Sequence, residues 1–307
     1  MRTVVQKSFG GPEVLELMEV ERPQAGAGEV LVRVHASAVN PVDAAVRSGL
    51  LPLLGEPPFA LGWDISGVVE EAGPGAAFAV GDEVYGMPHF PAQAAGYSEY
   101  VLAPADQLAA KPAGVDHVHA AALPLAALTA WQGLVLGAGI KAGDRVVIHR
   151  AAGGVGHFAV QIAKARGAHV IALASAARHD FLRELGADEL VDSRTVDFST
   201  VLSDVDVVLD SNAEGARSLR VLRPGGALVS LLEHRDQELA AEVAAAGRRF
   251  VGISVEPDGA GLAELAALVD QGLLRPYIDA VFPLAQAAKA HQQLEQGHTQ
   301  GKIVLTV

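Results

Sequence analysis

The chain has 307 residues, half of them hydrophobic, and a formal net charge of -13 at pH 7. This length exceeds a usual single hydrophobic core and predicts two domains, while the acidic balance without a Lys/Arg-rich block argues against a nucleic-acid partner. There is no cysteine, so disulfides, thiolate nucleophiles and sulfur-ligated zinc sites are excluded.

No apolar run reaches the roughly 18 residues that a bilayer-spanning helix needs. Residues 1–5 lead into polar sequence instead of the apolar core of a signal peptide. We therefore expect a cytoplasmic protein that has no membrane partner.

The first third of the chain alternates apolar and polar residues between closely spaced Gly and Pro turn signals. Residues 30–35 and 65–70 have the period of two that is typical of half-buried strands, and another strand begins at Val84. This part of the chain is predicted to form short antiparallel strands.

From about Leu123 the pattern changes to buried strands that are followed by helices. Residues 145–149 predict a strand, 155–166 a helix and 168–173 the next strand, which together make a βαβ unit. Further strands are predicted at 189–191, 205–209, 227–231 and 249–254. This repetition predicts a doubly wound parallel sheet of the α/β class.

The last part of the chain predicts a helix from Leu262, a strand over residues 278–281, a second helix and a final strand over 302–307. We expect this segment to return to the first domain. The predicted domains are therefore 1–122 together with 262–307, and 123–261.

The turn between the first strand and helix of the βαβ unit reads Ala-Ala-Gly-Gly-Val-Gly over residues 151–156. It matches the dinucleotide-binding pattern G-x-G-x-x-G with alanine at the first position. Glycines let the backbone approach a pyrophosphate, and free N–H groups at the start of a helix favour anions. Glycines that only let the helix pack on the strand are the alternative. The candidate cofactor contacts are Ala152, Gly153, Gly154, Val155 and Gly156.

The end of the second strand of this unit predicts which dinucleotide binds. An NAD site has an Asp or Glu there that bonds the ribose 2′-hydroxyl, whereas this chain has Ala174 and Ser175. Ser175 and Arg178 are suited to hold a 2′-phosphate, although Arg178 could equally be a solvated charge at a helix start. The predicted cofactor is NADPH.

Several segments, together with the βαβ motif, resemble the medium-chain dehydrogenase/reductases and, more narrowly, their zinc-independent quinone oxidoreductase branch. The resemblance runs nearly end to end. It implies a Rossmann doubly wound parallel sheet plus a GroES-like β-rich catalytic domain, a cleft between them, and a homodimer. The segments are Asn40-Pro41-Val42-Asp43, Gly62-Trp63-Asp64-Ile65-Ser66-Gly67-Val68, Gly81-Asp82-Glu83-Val84-Tyr85-Gly86, Leu128-Thr129-Ala130-Trp131 and Gly301-Lys302-Ile303-Val304-Leu305.

The zinc ligands of zinc-dependent relatives are replaced in this chain. Those relatives have a Cys where Asn40 stands and a His-Glu pair where Trp63 and Asp64 stand. His117 and His119 have suggestive spacing, but two imidazoles without further ligands do not predict a metal site. The resemblance thus implies hydride transfer from NADPH to a small molecule that is already electron-poor, a quinone or an α,β-unsaturated carbonyl compound, without a metal.

The resemblance also implies which residues lie at the nicotinamide. Asn40 and Thr129 are the catalytic candidates, the loop at residues 252–255 with Ser254 borders the same ring, and Lys302 reaches the cofactor. Each has an alternative: Asn40 before Pro41 suits a turn, Thr129 could bond its own helix, and Lys302 could sit in solvent.

The acceptor stays open at this point. Several quinone-reducing relatives have tyrosines where this chain has Ala45 and Leu51, which implies a more aliphatic pocket. An alkyl enone, or an enoyl intermediate of a biosynthetic pathway, is then as good a substrate as a quinone. A non-catalytic NADPH-binding sensor or structural protein is the other alternative, because a fold alone does not fix a function.

Overall fold

The computed structural model describes all residues from 1 to 307. They form two compact units: the first contains Met1–Leu128, Glu256–Gly272 and Pro276–Val307, and the second contains Thr129–Val255 and Leu273–Arg275. The boundary expected at residue 261 falls inside a helix of the first unit. That helix is attached there because the Tyr85 hydroxyl donates to the Leu262 carbonyl oxygen at 2.6 Å.

The first 131 residues contain eight strands and three α-helices. In chain order they are β1 (Arg2–Gln6), β2 (Leu15–Glu19), β3 (Glu29–Val39), α1 (Pro41–Arg47), β4 (Phe59–Ala60), β5 (Asp64–Ala72), β6 (Glu83–Gly86), β7 (Tyr100–Pro104), β8 (Leu108–Ala110), α2 (His117–Ala121) and α3 (Pro124–Trp131).

The middle of the chain alternates strands and helices. After a π-helical segment at Gln132–Ala138 come β9 (Arg145–Ile148), α4 (Gly154–Ala165), β10 (His169–Ala174), α5 (His179–Glu184), β11 (Glu189–Asp192), α6 (Phe198–Val201), β12 (Val205–Asp210), α7 (Gly215–Val221), β13 (Leu222–Ser230), α8 (Gln237–Ala245) and β14 (Arg249–Gly252). The last part of the chain contains α9 (Gly259–Asp270), β15 (Ile278–Pro283), α10 (Ala287–Glu295) and β16 (Lys302–Thr306).

The second unit is built on one parallel sheet in the strand order β11-β10-β9-β12-β13-β14. Val146, Val147 and Ile148 of β9 are all fully buried, because helices cover both faces of such a sheet and exclude water from every side chain of a central strand. The strand order reverses at β9, which is the point where ligands bind in open α/β sheets. The predicted doubly wound parallel sheet is confirmed.

The first unit is built on a mostly antiparallel sheet in the order β15-β16-β3-β5-β6-β8. The long strand β3 pairs along one edge with β5, and along the other edge first with β7 and then with β16. A smaller sheet, β2-β1-β4, completes the unit. Valine and isoleucine side chains of β3 and β5 form much of its core, and the β-rich character that the sequence predicted is confirmed.

None of the helices combines the length and the apolar character that crossing a membrane requires.

Candidate cofactor and catalytic site

The turn between β9 and α4 is shaped for close approach of a ligand. Its chain reversal is closed by the Gly153 N–H, which donates to the Arg150 carbonyl oxygen at 2.8 Å. A Cβ on Gly153 would meet only that oxygen, at 3.2 Å, so the other side of the turn is open. Gly153 is also the N-cap of α4 and has no side chain to accept from the first helical N–H groups. Those groups are available to an anion such as a pyrophosphate.

Gly156 has a different role in the same turn. A Cβ at this position would overlap the Arg150 carbonyl oxygen and come within 2.6 Å of the Ala151 Cα. Glycine is therefore required here so that α4 can pack directly against the chain that leaves β9. The predicted contacts Ala152, Gly154 and Val155 lie in the same turn and in the first turn of α4.

Ser175 and Arg178 follow the end of β10. Ser175 precedes a short 3-10 turn, Ala176–Arg178, and its carbonyl oxygen accepts from the Arg178 N–H at 2.9 Å. Both residues are half-buried. Their position at the carboxyl edge of the parallel sheet, beside the first strand of the dinucleotide motif, agrees with a contact to the ribose side of a bound nucleotide.

Asp192 brings a carboxylate to the same place, and the sequence reasoning missed it. It ends β11, directly beside Ala174 in the strand pairing. Hydrogen bonds from the Arg194 N–H, the Thr195 hydroxyl and the Ala176 N–H hold the pKa of Asp192 below its usual range. The signal was present in the sequence, because the residue after a strand predicted at 189–191 lies at the carboxyl edge of the sheet.

In the first unit, Asn40, Asp64 and Lys302 form a buried polar triad. The Asn40 amide Nδ2 donates to Asp64 Oδ2 at 2.9 Å, and the Lys302 ammonium donates to Asn40 Oδ1. Lys302 Nζ also lies 3.4 Å from both the Val39 carbonyl oxygen and Asp64 Oδ2. Because Lys302 is only 3% exposed, the alternative that placed it in solvent is wrong.

The triad fixes the orientation of the Asn40 amide. Its oxygen faces an ammonium and its nitrogen faces a carboxylate, which is the arrangement that satisfies both ends of an amide. Burial raises the pKa of Asp64, opposed by the nearby Lys302 charge and the Asn40 hydrogen bond. The three N–H donors of Lys302 already have acceptors within this unit, so the geometry favours an action of Lys302 through Asn40.

A second buried network lies beside the triad and was not found from the sequence. Asp43 Oδ2 accepts from the Asn40 N–H at 2.6 Å and from the Tyr97 hydroxyl at 2.9 Å. The Tyr97 oxygen lies 3.2 Å from His291 Nε2, and Arg47 Nη1 lies 3.1 Å from His291 Nδ1. The network connects α1, the segment before β7 and α10 to the backbone of Asn40.

The direction of each hydrogen bond in this network follows from the chemistry of arginine. A guanidinium only donates, so His291 Nδ1 accepts from Arg47 and the ring proton is on Nε2. Nε2 then donates to Tyr97, which in turn donates to Asp43. Burial and the Arg47 charge lower the pKa of His291 to about 3, which agrees with a neutral ring.

Two family models match the chain: the alcohol dehydrogenase GroES-like domain over residues 26–113 and the zinc-binding dehydrogenase over residues 185–305. The chloroplastic NADPH-dependent alkenal/one oxidoreductase of Arabidopsis thaliana is 33% identical, over 99% of this chain and 79% of that relative. The chain belongs to the medium-chain dehydrogenase/reductases. It is an oxidoreductase of that family.

Other relatives indicate the branch of the family to which this medium-chain dehydrogenase/reductase belongs. The quinone oxidoreductase from Coxiella burnetii is 36% identical, and its structure matches with a TM-score of 0.94 over 100% of this chain and 99% of that one. The spectinabilin polyketide synthase system protein NorB of Streptomyces orinoci is 39% identical over 97% of this chain, which spans only 14% of that protein. The chain lies in the zinc-independent quinone oxidoreductase branch, and the resemblance inferred from its motifs is confirmed.

The remaining predicted site residues of this medium-chain dehydrogenase/reductase lie in the second unit. Thr129 is buried in α3 just before the π-helical segment. Ser254 is exposed in the loop after β14. At Gly252, the last residue of β14, only a glycine fits, since a Cβ would overlap the His234 carbonyl oxygen. Of the predicted residues, the structure brings Asn40 and Lys302 into direct contact.

The two histidines with suggestive spacing have separate partners. His117 Nδ1 lies 2.9 Å from the Ser66 hydroxyl, and the His117 ring stacks on His35. His119 bonds Asp116 at the start of α2. The structure does not direct the two imidazoles toward a common point.

Proposed function

We propose that the protein is an NADPH-dependent reductase that transfers hydride to a quinone or an α,β-unsaturated carbonyl compound without zinc. The observation that carries the proposal is the open, glycine-shaped turn at the strand-order reversal of the parallel sheet. An NADPH-dependent alkenal/one oxidoreductase and a quinone oxidoreductase among the relatives support both the cofactor and the acceptor class.

The choice of NADPH rests on the end of β10. Ala174 and Ser175 provide no carboxylate on that strand, and Ser175 and Arg178 offer a hydroxyl and a guanidinium for a 2′-phosphate. Asp192 on the neighbouring strand favours NADH instead, because its negative charge repels a 2′-phosphate. NADH is therefore the second candidate.

The residues at the zinc positions of the family do not fit a zinc ion. Asp64 is the only ligand type among them, and its oxygens already accept from the Leu125 N–H at 2.7 Å and the Asn40 amide at 2.9 Å. The Trp63 indole donates to the Ala92 carbonyl oxygen. No group of three or more His, Asp and Glu side chains is arranged to hold a metal. A zinc ion in the reaction is not part of the proposal.

Bound NADPH would supply the hydride, and the chain would supply position and shelter from water. Asn40, oriented by Lys302 and Asp64, would present a fixed amide edge, and Thr129 would present a hydroxyl from α3. Holding two reactants in contact can lower a barrier by roughly 7 to 11 kcal/mol at best. That amount is substantial for an acceptor that is already electron-poor.

Our choice of acceptor class rests on the side chains of the segment that follows α1. Leu50, Leu51 and Leu53 are exposed there, Leu50 to 83%, and Ala45 provides only a small side chain on α1. Aliphatic side chains suit an alkyl enone better than a flat quinone, because they offer apolar contact without an aromatic face. An enoyl-reducing role in a biosynthetic pathway is the variant that the polyketide synthase relative supports.

The proposal is tested by titrating the protein with NADPH and NADH in a calorimeter, then adding a long-chain enone or a quinone and following cofactor oxidation. We expect NADPH to bind more than tenfold tighter, a gap above about 1.4 kcal/mol, and to be consumed faster with the enone. The Asp192→Asn variant should bind NADPH more tightly and NADH unchanged, with Asp204→Asn, at the other end of the sheet, as the control.

Three outcomes would contradict parts of the proposal. If neither cofactor binds, the reductase assignment fails. Binding without turnover of any activated alkene or quinone would favour the non-catalytic alternative, a sensor or structural protein. Tighter binding of NADH than of NADPH would mean that NADH is the cofactor.

The homodimer stays a prediction. β14 leaves one edge of the six-stranded sheet unpaired within the chain, and light scattering would test whether two chains associate.

A further inference from the structure

A small cavity lies at the carboxyl edge of the parallel sheet in the second unit. Its volume is about 110 Å³, and it is lined by Leu173 of β10 and by residues that follow β9, β11 and β12. The ones that matter here are Arg150, Ser193, Asn212 and Arg217. The edge of the sheet where the strands end is the side on which open α/β folds bind nucleotides.

Arg150 adopts an unusual backbone conformation at this cavity. Its φ is 48°, in the left-handed region that glycine adopts freely and other residues occupy at a cost of roughly 1–2 kcal/mol. The turn that Gly153 closes onto the Arg150 carbonyl oxygen holds it there. A long cationic side chain at a position that glycine would fill more stably suggests that the side chain is needed.

The other cation of the cavity is already neutralised. Arg217 pairs with Asp197 at 2.7 Å and with Glu214 at 2.6 Å. In contrast, Arg150 is an exposed residue that lines the cavity, and its side chain forms no hydrogen bond or ion pair. It is the unpaired positive charge at this point of a protein whose net charge is -13, and an anion brought to the cavity would meet it.

We propose that Arg150 binds a phosphate group of the adenosine half of the dinucleotide. This inference rests on the proposed function, since it assumes that a dinucleotide occupies the carboxyl edge of the sheet. A guanidinium offers several N–H donors to a phosphate in a planar fork. Arg150 thus adds a cation to the site on the turn itself, apart from Ser175 and Arg178.

The test compares Arg150→Gly with the wild type. Glycine removes the charge and relieves the left-handed conformation at the same time. If Arg150 had only a structural role, the variant would therefore lose neither stability nor ligand affinity. Asp204→Gly is the matched control, because Asp204 is an exposed residue with φ 54° before β12, at the opposite end of the sheet. Arg150→Lys keeps the charge.

Calorimetric titrations use adenosine, 5′-AMP and 2′,5′-ADP at low salt, and thermal unfolding is measured in parallel. We expect both glycine variants to unfold at or above the wild-type temperature. Of these two, only Arg150→Gly should lose affinity, by about tenfold or more for a phosphorylated ligand. Its affinity for adenosine should be unchanged, and Arg150→Lys should keep part of the affinity for the phosphorylated ligand. A loss for 2′,5′-ADP alone assigns the 2′-phosphate, and a loss for both nucleotides assigns the 5′-phosphate.

The inference is overturned if Arg150→Gly binds both nucleotides as tightly as the wild type, or if adenosine loses as much affinity as they do. Nucleotide binding by the wild type distinguishes a failure of this inference from a failure of the proposed function. A wild type that binds no adenine nucleotide or dinucleotide contradicts the reductase itself, whereas tight binding by the wild type and by Arg150→Gly contradicts only the role of Arg150.

Discussion

Asp43 is a buried carboxyl group whose proton affinity differs strongly between the folded and the unfolded chain. Burial raises the pKa of Asp43 to about 7, opposed by its hydrogen bonds from Asn40 and Tyr97. One of its oxygens, Oδ1, has no hydrogen-bond partner, and an unpaired buried oxygen is less costly when the group is neutral. The folded protein thus holds a proton on Asp43 over a range of pH in which the unfolded chain has lost it.

The sign of the resulting pH dependence is fixed by linkage. A group with a raised folded pKa contributes stability that is present at low pH and is lost as the pH rises through the folded value. His291 acts in the opposite direction, because its pKa is lowered to about 3: its contribution is present above the ordinary histidine pKa and is lost toward pH 3. Between about pH 4 and 6.5 the two contributions oppose each other.

We predict that the stability advantage of the wild type over Asp43→Asn shrinks as the pH rises from 4.5 to 7. The amide cannot titrate, so the difference between the two proteins isolates the proton on Asp43. Urea unfolding at several pH values measures it, with Asp204→Asn as the control variant for an exposed carboxylate. A difference in unfolding free energy that stays constant with pH would contradict the raised pKa.

Two glycines in the turn between β9 and α4 differ in what surrounds them. Gly156 packs α4 against the turn, and its missing side chain leaves room for the backbone at Arg150 and Ala151. Gly153 faces open space apart from one oxygen at 3.2 Å. Gly156 is therefore needed for the packing of α4, whereas Gly153 leaves the turn open for the cofactor that we propose.

We predict that Gly156→Ala lowers the free energy of unfolding by about 1–3 kcal/mol, the usual cost of overpacking, because α4 must move away from the turn. Gly153→Ala should unfold at nearly the wild-type temperature but bind NADPH more weakly, and Gly153→Asp should abolish binding by adding bulk and negative charge. Thermal unfolding and calorimetry measure the two effects separately. Equal destabilisation by both alanine variants would contradict the division of roles.

The sequence predicted best those elements whose pattern is local. The strand, turn and helix from Arg145 to Ala165 combine a buried apolar run, glycines and a helix start within about twenty residues. Strands β4 and β8 have only two and three residues, and β2 is partly exposed, so none of them shows a recognisable period in the sequence. Tyr97 and His291 were missed for a different reason: the Asp43 network joins residues far apart in the chain, and only the folded topology brings them together.

The two ends of the chain fold together, because both contribute strands to the same unit. The first unit is made from both ends of the chain, and the second from the middle. The last strand, β16, lies between β15 and β3 in the sheet of the first unit and supplies Lys302 to the Asn40 amide. The sheet of the second unit contains no residue from either end.

We predict that deleting residues 302–307 unfolds the first unit while the sheet of the second unit persists. The deletion exposes the part of β3 that pairs with β16 and leaves Asp64 as a buried carboxylate without its ammonium partner, which is strongly destabilising. Hydrogen exchange followed by mass spectrometry should show lost protection in β3 and β5 and retained protection in β9 and β12, as expected for separate cooperative units. Deletion of Val307 alone is the control. Equal loss of protection in both sheets would mean that the second unit cannot hold its structure without the first, and that the chain folds as a single cooperative unit.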